Sequence, residues 1–267
     1  MKYPGLMIIA LATAFTMPGL AVSPAVADIE SHRALYSLSL GKTSSGNFSD
    51  VQGAVKTQIE KICDAWITTE QIKMQVKIQT GATISHNLTY TGWESADGKQ
   101  YRFAASSVQD GEETRFRGRA SSQQDEPGLA VFSEPKKFDI ALPPGTQFYF
   151  GLTAWLIEQA EAGAKRAETV TFDGTDEEGP QRVVAIILPL KNKSSSMWGK
   201  FGALLDRPGW TVRLAFYAID SKDAVPDYEV EAVILDNGVT PRMELVFSEF
   251  TAIQKLEKIK ALKGPEC

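Results

Sequence analysis

Two histidines, His32 and His86, are the side chains whose ordinary charge change lies near neutral pH. Nucleophilic catalysis needs a base held against its nucleophile, so a serine triad would have to recruit one of them. His86 falls in phase with Ile84 and Leu88, the usual setting of a hydrogen-bonded core histidine, and His32 stands at the start of the first expected strand. No Gly-x-Ser-x-Gly elbow occurs anywhere in the chain. Gly41-Lys42-Thr43-Ser44 looks like the end of a phosphate loop, but Tyr36 occupies the place of the required upstream glycine. The acidic run Asp173, Asp176, Glu177 and Glu178 lacks the alternating ligand spacing of a calcium loop and reads as a solvated turn. Zinc is excluded by two cysteines far apart and only two histidines. Among the 33 acidic side chains no spacing singles out a catalytic pair. We therefore expect no enzyme: no catalytic residues, no metal site and no cofactor.

The cysteines, Cys63 and Cys267, are informative once the N-terminus is considered. Lys2 is followed by an uncharged stretch that includes Leu6–Ala12 and ends on Ala25-Val26-Ala27, with Asp28 directly after it. Pro18, Gly19 and Pro24 interrupt the run, and its apolar core is shorter than the roughly 20 residues of a spanning helix. This is the pattern of a signal peptide over 1–27, cleaved after Ala27, and no nearby cysteine offers a lipid attachment point. Losing Lys2 takes the net charge from −5 to one unit lower. An acidic surface is a poor match for nucleic acid, and no later segment is apolar enough to span a bilayer. Without a linker or composition break, residues 28–267 read as one domain. In an oxidising compartment a lone cysteine pair usually bonds to itself. Such a bridge would close a loop for which the chain-entropy model gives about 5 kcal/mol. The alternatives are two free thiols, or a bond from Cys267 to a neighbouring molecule.

The elements that would position these residues are mostly strands. Ile72, Met74, Val76 and Ile78 alternate with Lys73, Gln75 and Lys77, the period of a strand with one dry face. Similar runs occur at 34–40, 51–55, 84–90, 101–105, 114–118, 183–188, 211–219, 228–235 and 243–250. Asp97-Gly98, Asp110-Gly111, Asp173-Gly174 and Asn237-Gly238 separate runs as hairpin turns do. The chain reads as an antiparallel meander, with Ile253–Leu262 open to either helix or strand. Thr146–Ala162 differs, with Phe148, Leu152, Trp155 and Leu156 at helical spacing between Pro143-Pro144-Gly145 and Gly163. The connection from Pro189 to Pro208 carries Trp198 and Phe201 among glycines and serines, which suits either a core-packed loop or a flap. A curved sheet covered by an amphipathic helix leaves a greasy gap between two inner faces. Phe148, Leu152, Trp155, Leu156, Trp198 and Phe201 are the candidates to line it, with a lipid-like apolar molecule as the ligand.

Several short motifs occur together in a familiar order: Ser31–Leu40, Ile62-Cys63-Asp64-Ala65-Trp66, Asp97-Gly98-Lys99 with Tyr101-Arg102-Phe103, and Thr171–Asp176. Arg207-Pro208-Gly209-Trp210, Asp236-Asn237-Gly238-Val239, Leu245-Val246-Phe247 and the terminal Cys267 complete the set. Together they resemble the cell-envelope-integrity EipB family, over essentially all of 31–267. The resemblance implies a periplasmic protein of Gram-negative bacteria, built as a mainly β, single-domain open spiral-like antiparallel β-barrel wrapped around an amphipathic α-helix. It also implies a disulfide between Cys63 and Cys267, an architecture similar to carriers that hold acyl chains, and no enzymatic activity. Leu142-Pro143-Pro144-Gly145-Thr146 departs from the helix entry expected for the family. The resulting expectation is a non-enzymatic periplasmic protein that supports envelope integrity by holding a lipid or other apolar ligand between sheet and helix. The alternative is an interaction module that docks another periplasmic protein and has no ligand. The disulfide is further expected to staple the C-terminal tail so that it protects the opening of the barrel.

Overall fold

The computed structural model describes residues 29–43, 47–190 and 198–267. Residues 1–27, expected as a signal peptide, lie outside them, as does the centre of the 189–208 connection. The first eight strands are β1 (His32–Thr43), β2 (Phe48–Ile62), β3 (Ala65–Ile78), β4 (Thr83–Ser95), β5 (Gln100–Gln109), β6 (Glu112–Ser121), β7 (Gly128–Glu134) and β8 (Phe138–Leu142). One α-helix, α1 (Tyr149–Glu161), follows. The chain then continues through β9 (Arg166–Thr171), β10 (Gln181–Pro189), β11 (Gly209–Ala218), β12 (Tyr228–Leu235), β13 (Arg242–Val246) and β14 (Phe250–Ala261). All 14 strands form one open antiparallel sheet in the order β8-β7-β6-β5-β4-β3-β2-β1-β14-β13-β12-β11-β10-β9. Among the described residues no helix is long and apolar enough to cross a membrane.

The order is a meander broken once. Except for β8 and β9, each strand pairs with its neighbours in sequence, and β1 also pairs with β14, so the two termini meet at the centre of the sheet. The undecided C-terminal stretch is therefore strand, because β1 and β13 supply hydrogen-bonding partners on both of its sides. Register shifts at Leu35/Tyr36 and Leu40/Thr43 interrupt the β1–β14 ladder, and bulges of this kind bend and twist a strand.

The break falls where α1 is inserted, between the edge strands β8 and β9. Pro143 and Pro144 have no N–H to continue a ladder, and Gly145 takes φ +71° to turn the chain. The next residues run from the end of β8 past the β6–β7 connection to β9. Gly145 N donates to Gln123 O at 2.7 Å, Gln147 N to Val170 O at 2.8 Å, and Phe172 N to Gln147 O at 2.9 Å. The opening is thus stitched at one end by backbone hydrogen bonds. The same bonds delay the helix, which begins at Tyr149 and not at Thr146, with Phe148 as an extended N-cap.

Cys63, in the β2–β3 turn, is bonded to Cys267, with Cα atoms 5.6 Å apart. The expectation that this bond guards the opening is overturned. It lies where β2, β1 and β14 run side by side at mid-sheet, and the open edges are β8 and β9.

Candidate functional site

Inward positions alternate along β11 to β13, and their side chains form one wall of a cavity of about 310 Å³. Val212, Leu214 and Phe216 come from β11, Val230, Ala232 and Ile234 from β12, and Met243 and Leu245 from β13. Cross-strand register sets Val212, Ala232 and Met243 in one rung and Leu214, Val230 and Leu245 in the next. The helix supplies Leu152, Thr153 and Leu156, and β2 supplies Ile59.

The helix is held over this wall by anchors from the opposite half of the sheet. Phe148 stacks on Tyr101 at 4.7 Å between ring centroids, and Phe150 stacks on Trp66 at 4.2 Å. Phe148 makes no side-chain cap. Instead Glu94, from β4, accepts from the backbone N–H groups of Phe150 at 2.9 Å and Gly151 at 3.0 Å. A carboxyl group there satisfies two orphan donors at the positive end of the helix dipole. A Cβ on residue 151 would lie 2.8 Å from Glu94 Oε1, so glycine makes room for the cap. Burial pushes the Glu94 carboxyl up to about 8, against the downward pull of those two N–H groups.

The other end of the cavity is polar. Glu70 of β3 and Asp173 of the β9–β10 connection line it, with Tyr36, Thr57, Tyr149, Gln181 and Tyr228. Tyr149 Oη donates to Glu70 Oε2 at 3.2 Å, and Thr57 Oγ1 donates to the same oxygen at 3.4 Å. Asp173 Oδ1 accepts from the backbone and hydroxyl of Thr175, at 2.9 and 2.8 Å. Tyr101, hydrogen-bonded to Tyr90 through their hydroxyls, donates to the Asp173 carbonyl at 2.9 Å. Desolvation holds both carboxyls above their ordinary range, and the Asp173 charge adds to the effect on Glu70.

The cavity candidates separate into two groups. Leu152 and Leu156, four residues apart on one helix face, line the cavity. Phe148 does not, because its place before the first helical turn puts it in an aromatic cluster with Tyr90, Tyr101, Phe103, Phe132 and Phe172. Trp155 sits about 100° round the helix from Leu156 and lines an outer groove with Glu158 and Arg182. Trp198 is buried and Phe201 half-buried in a third cluster, with Tyr36, Leu38, Val55 and Leu256. The described part of their connection is therefore packed into the core.

Glu70 and Glu94 were not among the candidates, although the alternation carried a signal for both. Counting back by twos from Ile72 reaches Glu70, and counting on from Tyr90 reaches Glu94, so each acid is in phase with an inward row. His32 also lines the cavity. Its Nδ1 lies 2.7 Å from Glu30 O, and burial lowers its pKa. His86 Nε2 meets Ser107 Oγ at 2.9 Å, but among the described residues no carboxylate bonds its other nitrogen to orient it as a base.

The protein is 26% identical over 260 residues to the cell envelope integrity protein EipB of Brucella abortus (strain 2308), covering 93% of this chain and 91% of that one. The crystal structure of a β-barrel-like protein of a domain of unknown function, DUF1849, from Brucella abortus superposes with a TM-score of 0.79 at 23% identity. That match covers 89% of this chain and 100% of the other, and it establishes the shared fold. The EipB-like family model matches residues 23–263, and the chain belongs to that family.

Proposed function

We propose that this protein is exported, loses residues 1–27, and helps to maintain the cell envelope from the periplasm as a non-enzymatic carrier of a lipid-like ligand. The envelope role is supported by the name of its Brucella relative, and the export by the N-terminal pattern. The cavity between helix and sheet carries the binding claim. Its volume, about 310 Å³, stands at the low end of the ~300–1,000 Å³ usual for small-molecule sites. One aliphatic chain suits it better than two. The apolar wall would bury the chain, and the polar end would receive whatever the chain carries.

The test is titration of purified protein with a fluorophore bearing a single acyl chain, together with native mass spectrometry of protein taken from the periplasm. A saturable rise in fluorescence at one equivalent, or a co-purifying mass of several hundred daltons, is expected. Consistently empty protein that never takes up the probe would refute the carrier reading.

A further inference from the structure

The polar end of the cavity holds acids without basic side chains to match them. Glu70, Asp173 and Asp176 line it, and among the described lining residues there is no lysine or arginine to answer them. His32 is the only basic side chain among the described lining residues. It is buried with Nδ1 beside a backbone carbonyl, and desolvation disfavours its charged form. The acids are not paired elsewhere either, since neither Glu70 nor Asp173 takes part in a described salt bridge. Both hydrogen bonds to Glu70 fall on Oε2, and Oε1 accepts none among the described residues. Tyr36, Tyr149 and Tyr228 stand round the same space. Phenol rings offer a cation their negative faces and their hydroxyl oxygens.

Resting on the cavity reading above, we propose that the site takes an amphiphile with one aliphatic chain and a cationic, hydrogen-bond-donating head, and disfavours the same chain bearing an anionic head. The chain lies along Val212, Leu214, Ala232 and Leu156, and an ammonium head lies between Glu70 and Asp173. An ammonium there favours the ionised form of both carboxyls, which burial alone opposes, and gives Oε1 of Glu70 a donor. A carboxylate or phosphate in its place would meet two acids in a poorly solvated pocket with nothing to neutralise it.

The experiment is competition against the single-chain acyl fluorophore near neutral pH, with decylamine, decanol and decanoate as matched competitors. The amine should displace the probe at a concentration about tenfold or more below that of decanoate, with the alcohol between them. The isosteric double variant Glu70→Gln/Asp173→Asn keeps side-chain acceptors for Tyr149, Thr57 and Thr175 and should bring amine and carboxylate within about threefold. If decanoate equals or outcompetes the amine on the wild-type protein, the head-group assignment is wrong whatever the variant does. A preference for the amine that survives in the folded double variant would also overturn it, because the charge would then come from elsewhere. If the fluorophore itself never binds, the cavity reading fails first and this inference falls with it. Circular dichroism of the variant separates lost folding from lost preference.

Discussion

Inward positions of β5 and β7 carry Tyr101, Phe103 and Phe132, whereas those of β11 and β12 carry Val212, Leu214, Val230 and Ala232. The two regions belong to one sheet with one pleat, yet they are filled in different ways. In the first, rings close on rings: Phe132 lies 4.2 Å from Phe138 and 5.0 Å from Phe103, and Phe103 lies 5.6 Å from Phe172, centroid to centroid. Such pairs add about 0.5–1.5 kcal/mol each beyond area burial. In the second, Phe216 stacks on Tyr228 at 4.5 Å, but most inward side chains are aliphatic, and a space of about 310 Å³ is left beneath the helix. A curved sheet does not by itself make a ligand cavity. The volume of the inward side chains decides whether its interior is core or pocket.

The difference is most sensitive to change at the centre of the aromatic region. Phe132, 1% exposed, touches rings on both sides, and Phe132→Ala should cost about 3–5 kcal/mol of unfolding free energy in a urea titration. A loss below about 1 kcal/mol would mean that this half is not the close-packed one. The disulfide comes next. It lies between the two regions, and Cys63→Ser, Cys267→Ser and the double variant should each lose on the order of 2–5 kcal/mol. The three losses should be alike, because each breaks the same bond. Reductant should lower the melting temperature of the wild type and leave the variants where they are. A disulfide-linked dimer on non-reducing gels would contradict the intramolecular bond.

Matched alanines sharpen the contrast directly. Ala130, fully buried in the aromatic region, and Ala232, on the cavity wall, both face inward from strands. Ala130→Leu overpacks a filled interior and should cost about 1–3 kcal/mol. Ala232→Leu enters space that already exists and should change stability by less than about 1 kcal/mol while weakening uptake of the acyl fluorophore. Equal costs at the two positions, read from chemical denaturation, would remove the distinction.

The smallest expected effect concerns the helix that roofs the cavity. The folded-state pKa of Glu94, about 8, lies above its unfolded value, so between the two the folded chain retains a proton that the unfolded chain has released. Its contribution to stability is complete below the ordinary carboxylate range and declines as pH rises to about 8. Glu94→Gln cannot titrate and should remove a slope of at most about 1.4 kcal/mol per pH unit. The stability of the variant relative to wild type should therefore improve between about pH 6 and pH 7. Glu70 and Asp173, also raised, act in the same direction but are common to both proteins. His32, with a lowered pKa, loses stability as pH falls through the usual imidazole range, and it too cancels in the comparison. Parallel pH profiles would show that Glu94 does not hold its proton.

Strands could be read from the chain because alternation is a local property: Ile72, Met74 and Val76 declare a dry face whatever lies opposite. The turn at Asp110-Gly111 and the helix around Leu152 and Leu156 were legible for the same reason, since side-chain period and backbone freedom act over a few residues. The strands β7, β8 and β9 were not; in β7, Leu129, Ala130, Val131 and Phe132 are apolar in both phases, so no alternation marks the inward face. Whether Ile253–Leu262 was helix or strand depended on β1, more than 200 residues earlier, as the pairing of Leu40 with Ala252 shows. Tertiary structure likewise moved the disulfide from the opening to mid-sheet and sent Phe148 and Trp155 away from the cavity that Leu152 and Leu156 line. It alone gathered Glu70 and Asp173, from β3 and from the loop after β9, round one space. Sequence specifies which face of a strand is inward. What an inward side chain meets there is set by register across the sheet, which no local pattern records.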